Sequence, residues 1–573
     1  MNASRSNYSN PRGYALVVVL FFLGVGSLML AGLMNWINTR SRLVQRNQAY
    51  QAATGAAEAA VEKALASMTQ DFLATDEATV YARLANYRLL VPQAAEDSSW
   101  ANVKFFDTAG QPQQLSITRL GNWGFGGLQT RYRGLNGYFA TYRLEAGASL
   151  EALPGVEVSS TVACEAQLVA LPVFSLQGYS AVDLEICPPD SLNFRGRVHC
   201  NGNLYLDPDR STVRFYGNVS AGNTIFRRQH PDDPVSRSGG TITFSSERDA
   251  QAKQLKLPLG APHSPDRLRA LIEIPPNGEK MDSLLGRQRF YNQADLIIMV
   301  DKGAVKATSG GYDNFKSKVP PAIINNFLRS DLSFYDRREG RKAQTVQVDL
   351  AQFNQQLVAL RGTLGRDPRI IYIANQMDTD PAAFNAVRLV NGMTLPTNGL
   401  TVATPNPLYV VGHYNAYSTH LGTTNTTRSV PAAMVADAVT ILSANWNDSL
   451  STSDLAARRA VKTTINAGII TGMVPTRDGY YSGGYENLLR LLEDWNNETL
   501  TFNGSLAVFY ESRVADSPWG ALDEVYNSPK HGFSWDISFA NPARIPAGTP
   551  LLRTVLRANY AVTAIAKPLA TKK

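Results

Sequence analysis

Cysteine and histidine, the residues that most often hold metals, are scarce in this chain, with three and six copies among 573 residues. No CxxC pair occurs, and no histidines are spaced as in HExxH or another short metal motif. A GxSxG nucleophile elbow and a GxxxxGK[ST] phosphate loop are absent as well. We therefore predict no catalytic, cofactor-binding or metal-binding residue, no cofactor and no enzymatic activity.

Charge of one sign is not concentrated anywhere in the sequence. No dense run of lysine or arginine appears, and a net charge of +7 is mild for this length. Neither feature is typical of a nucleic-acid-binding protein, so we expect no nucleic acid partner. The length itself exceeds what one compact core accommodates, which predicts more than one folded unit.

The few cysteines allow at most one internal cross-link. An odd number of cysteines in an exported chain permits one disulfide and one free thiol. Cys187 and Cys200 are the more plausible pair, which would leave Cys164 free. The alternative is three buried free thiols that pack as small apolar side chains.

What the sequence does have is one long apolar segment, residues 14–37, without a charged side chain. As a helix it would be roughly 36 Å long, enough to cross a bilayer. A short leader with Arg5 and Arg12 precedes the segment, and no small-residue cleavage site of the ordinary secretory kind follows it. We expect a retained membrane anchor rather than a removed signal peptide.

An alanine-rich stretch follows the apolar segment and continues its helical pattern. Six alanines recur at steps of three and four residues, which places them on one helix face. Small residues let helices approach closely, so this face is expected to pack on neighbouring subunits, on the chain's own globular part, or on both along its length. The six are Ala49, Ala52, Ala53, Ala56, Ala60 and Ala64.

Residues 12–70 resemble type IV pilins, most of all PilX-type minor pilins and K-type minor pseudopilins. The likeness lies in the junction Gly13-Tyr14, the following ALVVVLFFL and the stretch QAYQAATGAAEAA. It implies that a prepilin peptidase cuts between Gly13 and Tyr14 and that the chain assembles with other pilin-like subunits. It also implies an inner-membrane anchor with an extracytoplasmic domain, located in a pilus or at the cell surface.

One position departs from the pilin pattern. Most pilins carry glutamate at the fifth position after the cleavage site, where this chain has Val18. In pilins that carboxylate neutralises the terminal amine of a neighbouring subunit in the apolar filament core, where an unpaired charge is costly. A subunit with Val18 cannot offer this carboxylate, which suits the tip of a filament, where no subunit lies ahead. The alternative is a single-span anchored protein that never assembles.

The body of the chain is predicted to be mainly β. From residue 172 onward, short β-rich pieces alternate with Asn/Gly corners, a pattern typical of a parallel β-solenoid, with a β-sandwich as the alternative. The expected units are a prepilin-like leader (1–13), a transmembrane and stalk helix (14–69), an α/β pilin-like region (70–171), a first solenoid part (172–250), an α/β insertion (251–365), and a second solenoid part with a C-terminal cap (366–573).

Two charged segments invite a local interpretation. The segment YENLLRLLEDW has apolar residues at helical spacing, which predicts a helix that caps the solenoid. Its acids Glu486, Glu493 and Asp494 would then lie mostly on the outer face, with a ligand site as the alternative. The segment FYDRREGR, which begins at Phe334, is interpreted as a solvated turn.

The body also resembles uncharacterised extracellular regions that follow PilX-like N-termini, in segments such as VHCNGNLYL, LTVATPNPLYVVGHYN and TFNGSLAVFYES. These likenesses imply a noncatalytic minor pilin-like subunit that helps to prime or cap a filament and displays its solenoid for adhesion, with surface glycans as a further partner. The competing hypothesis is a membrane-tethered, carbohydrate-active solenoid enzyme, whose carboxylates or bases would cluster in one groove.

Overall fold

A single helix of 61 residues, Tyr14–Ala74, begins the structure. This computed structural model describes residues 14–260, 263–302, 304–377, 380–477, 479–520 and 524–563. At 1.5 Å per residue the helix is roughly 90 Å long. Its first part is exposed, and its second part packs on an antiparallel sheet that adjoins a parallel β-solenoid. The predicted class, a mainly β chain with a long N-terminal helix and a solenoid rather than a sandwich, is confirmed.

The second part of the helix lies on a six-stranded antiparallel sheet. Its central hairpin consists of Asn136–Leu153 and Val156–Pro172. The last described strand, Leu551–Thr563, pairs antiparallel with Val156–Pro172. The C-terminal segment, expected within the second solenoid part, therefore completes the N-terminal unit. The other strands of this sheet are Lys104–Phe106, Ser116–Arg119 and Gly124–Gly127.

The first solenoid coils follow, with strands stacked in parallel on three faces. In the register of one face, Val198 pairs with Gly178 on one side and with Val219 on the other. Aromatic rings stack along the core, since the Phe194 and Phe215 centroids lie 4.9 Å apart. The strands of these coils are Gly178–Ser180, Leu184–Ile186, Leu192–Phe194, Val198–Cys200, Leu204–Leu206, Thr212–Phe215, Val219–Ala221, Ile225–Phe226, Thr241–Phe244 and Arg248–Asp249.

A second set of coils has two parallel faces. The strands of one face are Leu296–Asp301, Ile370–Gln376, Leu400–Ala403, Ala432–Ala436, Thr463–Met473, Thr499–Glu511 and Lys530–Ser534. Those of the other are Arg341–Asp349, Ala383–Val390, Leu408–Val411, Val439–Leu442 and Leu489–Arg490. At the outer end of each face one strand turns back antiparallel: Ala304–Ser309 and Leu328–Asp336.

The two sets of coils share one twelve-stranded sheet. Leu506 and Val508, in the last long strand of the second set, pair in parallel with Gly178 and Ser180 in the first strand of the first set. The chain therefore starts its solenoid in the middle, winds to one end, crosses to the opposite end and winds back. No sequence pattern predicted this order.

The segment 251–365, expected as an α/β insertion, belongs partly to the solenoid. Its strands Leu296–Asp301 and Arg341–Asp349 pair in parallel with the next strand of each face, so they form the outer coil of the second set. The short helices of the structure are Glu77–Ala82, Leu84–Arg88, Pro265–Arg269, Phe290–Gln293, Pro321–Ile324, Leu350–Gln355 and Leu357–Leu364.

The three cysteines are buried free thiols, so the suggested pairing of Cys187 with Cys200 is wrong. Cys200 lies inside the first coils, where its thiol contacts the Val182 carbonyl oxygen at 3.0 Å. Cys187 follows the strand Leu184–Ile186 at a corner of the same coils and lines a cavity. The two thiols thus occupy separate surroundings.

Buried asparagines join successive coils: Asn415 follows a strand, and Asn466 and Asn503 lie within strands. The Asn466 amide donates to the Asn415 carbonyl oxygen at 2.9 Å, and the Asn415 amide donates in return to the Asn466 carbonyl oxygen at 2.9 Å. The next coil continues the ladder, since the Asn503 amide donates to Asn466 Oδ1 at 2.9 Å. Such ladders satisfy buried polar groups along the stacked coils.

Replacement of the middle rung should therefore be costly. We expect Asn466→Ala to lower the free energy of unfolding by about 2–4 kcal/mol, because it leaves buried partners in two coils unpaired. Chemical denaturation of the purified protein measures this effect. Asn496→Ala, at an exposed corner position, is the control. Equal stability of the two variants would contradict the structural role of the ladder.

Candidate functional site

The most unusual surface of the molecule is the apolar part of the long helix. Leu16, Phe21 and Leu28 are 68%, 67% and 75% exposed, and their neighbours on every side of the helix are similarly open. By length and composition this helix is able to cross a membrane. An apolar surface of this extent belongs in lipid or among other helices, because water contact is unfavourable.

The residues predicted for processing lie at the start of this helix. Tyr14 is the first residue of Tyr14–Ala74, and its side chain is exposed. Gly13 lies outside the described residues, so the cleavage junction itself stays a prediction. Val18, at the position where pilins carry glutamate, is also exposed on the helix.

The alanine face divides between the chain's own sheet and solvent. Towards the sheet the helix contacts buried residues such as Tyr142, Leu144 and Leu168. Of the six predicted alanines, Ala53, Ala56, Ala60 and Ala64 are buried, Ala49 is half-buried and Ala52 is exposed. Close packing of the helix on the chain's own sheet therefore accounts for four of the six alanines. The other two, Ala49 and Ala52, lie nearer the apolar segment, where a neighbouring subunit could contact them.

Polar contacts at the edge of this interface tie the helix to both ends of the globular chain. Thr54 donates from its hydroxyl to the Ser160 hydroxyl at 2.8 Å. On the C-terminal strand, Arg557 pairs with Glu62. Four residues earlier on the same strand, Arg553 donates to a backbone carbonyl near the end of the helix, that of Phe72, at 2.9 Å. The helix is consequently held in a fixed orientation relative to the sheet.

The two alanine environments predict opposite effects of one added side chain. We expect Ala60→Leu to destabilise the helix–sheet unit by about 1–3 kcal/mol, because the site has no room for extra methylene groups. Ala52→Leu, on the exposed side, should leave stability unchanged. Thermal unfolding of both variants in detergent tests the difference. Wild-type stability of Ala60→Leu would contradict the packing described above.

The segment 485–495 does not form the predicted capping helix. Tyr485–Asn487 is a single 3-10 turn, and Leu489–Arg490 is a strand that pairs in parallel with Val439–Leu442. Its apolar residues are buried on both faces of a coil, a pattern that periodicity alone does not separate from a helix. Two of the three acids are consequently buried, while Asp494 is half-buried. Glu486 and Glu493 are 7% and 1% exposed.

Glu493 has a structural role at the corner of a coil. Its carboxylate accepts a hydrogen bond from the Ser443 backbone N–H at 2.6 Å and another from the Ser443 hydroxyl at 2.7 Å. Burial nevertheless raises the pKa of Glu493 to about 7, against the lowering effect of these two bonds. The protonated carboxyl is thus favoured in the folded chain.

This shift sets a direction for the pH dependence of stability. The pKa of Glu493 in the folded chain lies above its ordinary value of 4.5. Its contribution to the free energy of unfolding is therefore fully present below pH 4.5 and is lost as pH rises through about 7. Between pH 4.5 and 8 the free energy of unfolding of the wild type should therefore fall by up to about 3 kcal/mol because of Glu493, and Glu493→Gln should abolish this part of the fall. Unfolding curves across this range test it, with the half-buried Glu498→Gln as control. Parallel pH profiles of wild type and Glu493→Gln would contradict it.

The segment interpreted as a solvated turn, residues 334–341, is a buried charged corner. Asp336 and Glu339 are 2% and 6% exposed. Tyr409 donates its hydroxyl to Asp336 at 2.5 Å, and Arg490 donates to Glu339 at 2.5 Å. These partners come from later coils, and no local pattern could indicate them. The prediction of solvation is wrong because the corner is covered by other coils.

Comparison with known proteins leaves the family of this chain open. No protein-family profile matches it, and no curated protein matches it. Among solved structures the chain is similar to the competence-associated pilin ComZ from Thermus thermophilus, at 12% identity and a TM-score of 0.29, over 89% of this chain and 96% of that chain. A likeness at this level does not establish a shared function.

Proposed function

We propose that this chain is a membrane-anchored, noncatalytic minor pilin-like subunit of a type IV pilus or a type II secretion-like filament. The observation that carries the proposal is the division of the helix Tyr14–Ala74. One part is apolar and exposed all round, and the other is packed on the chain's own antiparallel sheet. The apolar part serves as a span of the inner membrane before assembly and as a helix of the filament core afterwards.

The residue at position 18 supports a position at the filament tip. After a prepilin peptidase has cut before Tyr14, the new terminal amine carries a positive charge in an apolar environment. A neighbouring carboxylate stabilises such a charge, and an unpaired one is costly. Val18 offers no carboxylate to the amine of another subunit. At the tip, no further subunit lies ahead whose amine would need a carboxylate from position 18.

The solenoid is the part that the subunit displays outside the cell. Stacked coils create an extended surface, which suits adhesion to surface glycans. The competing function, a carbohydrate-active enzyme, requires titratable groups in an open groove. Two of the carboxylates whose pKa values burial raises, Glu185 and Glu493, are buried among the coils. Their burial supports display over catalysis.

Fractionation of filaments from the native host tests this proposal. We expect the protein in sheared filaments at low abundance, with a methylated N-terminus at Tyr14 by mass analysis. An intact Met1, a cut beyond residue 37, or absence from both filaments and assembly complexes would favour the unassembled single-span anchor. Turnover of a polysaccharide by the purified protein would favour the enzyme instead.

Variants of the helix distinguish the tip from other positions. Val18→Glu should reduce recovery in filaments, since a tip subunit would bury a carboxylate without a partner. Val18→Leu is the matched control and should assemble normally. Ala52→Leu should also reduce recovery while the protein stays folded, because its site faces a neighbour rather than the chain's own sheet. Normal assembly of Val18→Glu would place the subunit beside a neighbour's amine and contradict the tip position.

A further inference from the structure

A buried group of two acids and one thiol lies in the first set of coils, beside residues 481–486 of the second set. Glu185, Cys187 and Asp233 each offer one ligand atom, and these atoms all lie within 4.8 Å of one another. Each of the three residues is at most 4% exposed. Glu185 lies in the strand Leu184–Ile186, between side chains that fill the solenoid core. Its carboxylate therefore points away from the core into this group.

Among the described residues of this enclosure, acidic side chains outnumber basic ones. The acids Glu185, Asp233 and Glu486 face one guanidinium, that of Arg237. Arg237 pairs with Asp233 and lies 4.3 Å above the ring of Tyr481. Glu486 accepts hydrogen bonds from the Tyr481 hydroxyl and from the backbone N–H of Cys187, the latter at 3.3 Å. These contacts satisfy Asp233 and Glu486.

Glu185 is the group that remains unsatisfied. Its Oε2 atom is buried, and among the described residues none donates a hydrogen bond to it. A buried carboxylate oxygen without a partner costs free energy. Burial raises the pKa of Glu185 to about 7, in spite of the Thr476 hydroxyl, which acts to lower it. An added cation at this point would supply the missing partner.

The group is reachable from outside. A cavity of 370 Å³ opens beside it, lined by Cys187, Arg237, Tyr481, Glu486, Trp519 and His531 among others. Burial lowers the pKa of His531 to about 4, so this imidazole is neutral near pH 7. An ion can therefore pass to the thiol without crossing the solenoid core.

We propose that Glu185, Cys187 and Asp233 bind one divalent thiophilic cation of the zinc class. A thiolate with two carboxylates matches the ligand types of zinc, whereas calcium and magnesium take oxygen ligands alone. Zinc prefers four ligands at about 2.0–2.3 Å, so the three side chains would draw together around it and leave a fourth position for Glu486 or water.

Binding would proceed with loss of protons and a change of one ion pair. Burial raises the pKa of the Cys187 thiol, so the thiol proton leaves as the sulfur–metal bond forms. Any proton held by Glu185 leaves as well. As Asp233 turns to the ion, Arg237 retains Asp207, whose Oδ2 lies 4.0 Å from its Nη1. The ion would link the first coil to the loop that carries Asp233 and thereby stabilise the fold.

Cobalt(II) provides a direct test with the full-length protein, purified in detergent, stripped of metal and kept reduced. We expect one Co²⁺ per chain and a thiolate-to-cobalt charge-transfer band in the near ultraviolet, displaced by Zn²⁺. Cys187→Ala should abolish the band, while Cys164→Ala, at a buried thiol in the antiparallel sheet, should preserve it. Glu185→Gln should weaken Co²⁺ affinity at least tenfold.

Stability measurements keep the test decisive. Zn²⁺ should raise the thermal unfolding midpoint of wild type and of Cys164→Ala but not of Cys187→Ala. If Cys187→Ala fails to fold, Glu185→Gln decides, because it preserves the shape of the side chain. No charge-transfer band in wild type at saturating Co²⁺, the same band in Cys187→Ala, or unchanged affinity in Glu185→Gln would each overturn the proposal.

Discussion

The parallel pairing of residues 506–508 with residues 178–180 is the contact on which the rest of the solenoid depends. It stacks the last long coil strand on the first, and so joins two sets of coils into one twelve-stranded sheet. Both sets would otherwise present an open strand edge at this junction, where unpaired backbone groups invite aggregation. The pairing also brings the segment around Glu486 beside Cys187. The closure thus adds Glu486 to the group of Glu185, Cys187 and Asp233, which the first set of coils supplies by itself.

The same closure explains how one chain carries a stalk and a solenoid as neighbours. Because the coils begin and end at the middle of the sheet, the chain leaves the solenoid close to where it entered. Its final strand, Leu551–Thr563, then pairs with Val156–Pro172 and contacts the stalk helix through Arg557 and Arg553. The solenoid is therefore joined to the helix–sheet unit through two strands rather than one.

The buried polar groups show which structural features local sequence patterns can predict and which they cannot. The Asn/Gly corners predicted coils, and the ladder of Asn415, Asn466 and Asn503 joins these coils. The charged segments were interpreted less well. Charged residues are usually exposed, which predicts exposed side chains for Glu493 and Asp336, yet each is buried with a hydrogen-bond partner far away in sequence. The coil that contains Leu489 seemed helical because residues buried on both faces carry no period of two.

The sequence by itself determined the apolar helix, its alanine face and the recurrence of short parallel strands, because each follows from local composition and spacing. Processing at Tyr14 and assembly stay predictions that derive from the same local patterns. Only the tertiary structure decided the order of the coils, the return of the C-terminal strand, and the meeting of Glu185, Cys187 and Asp233. These features depend on contacts between segments distant in the chain, whose free energy is gained only when the backbone has already brought them together.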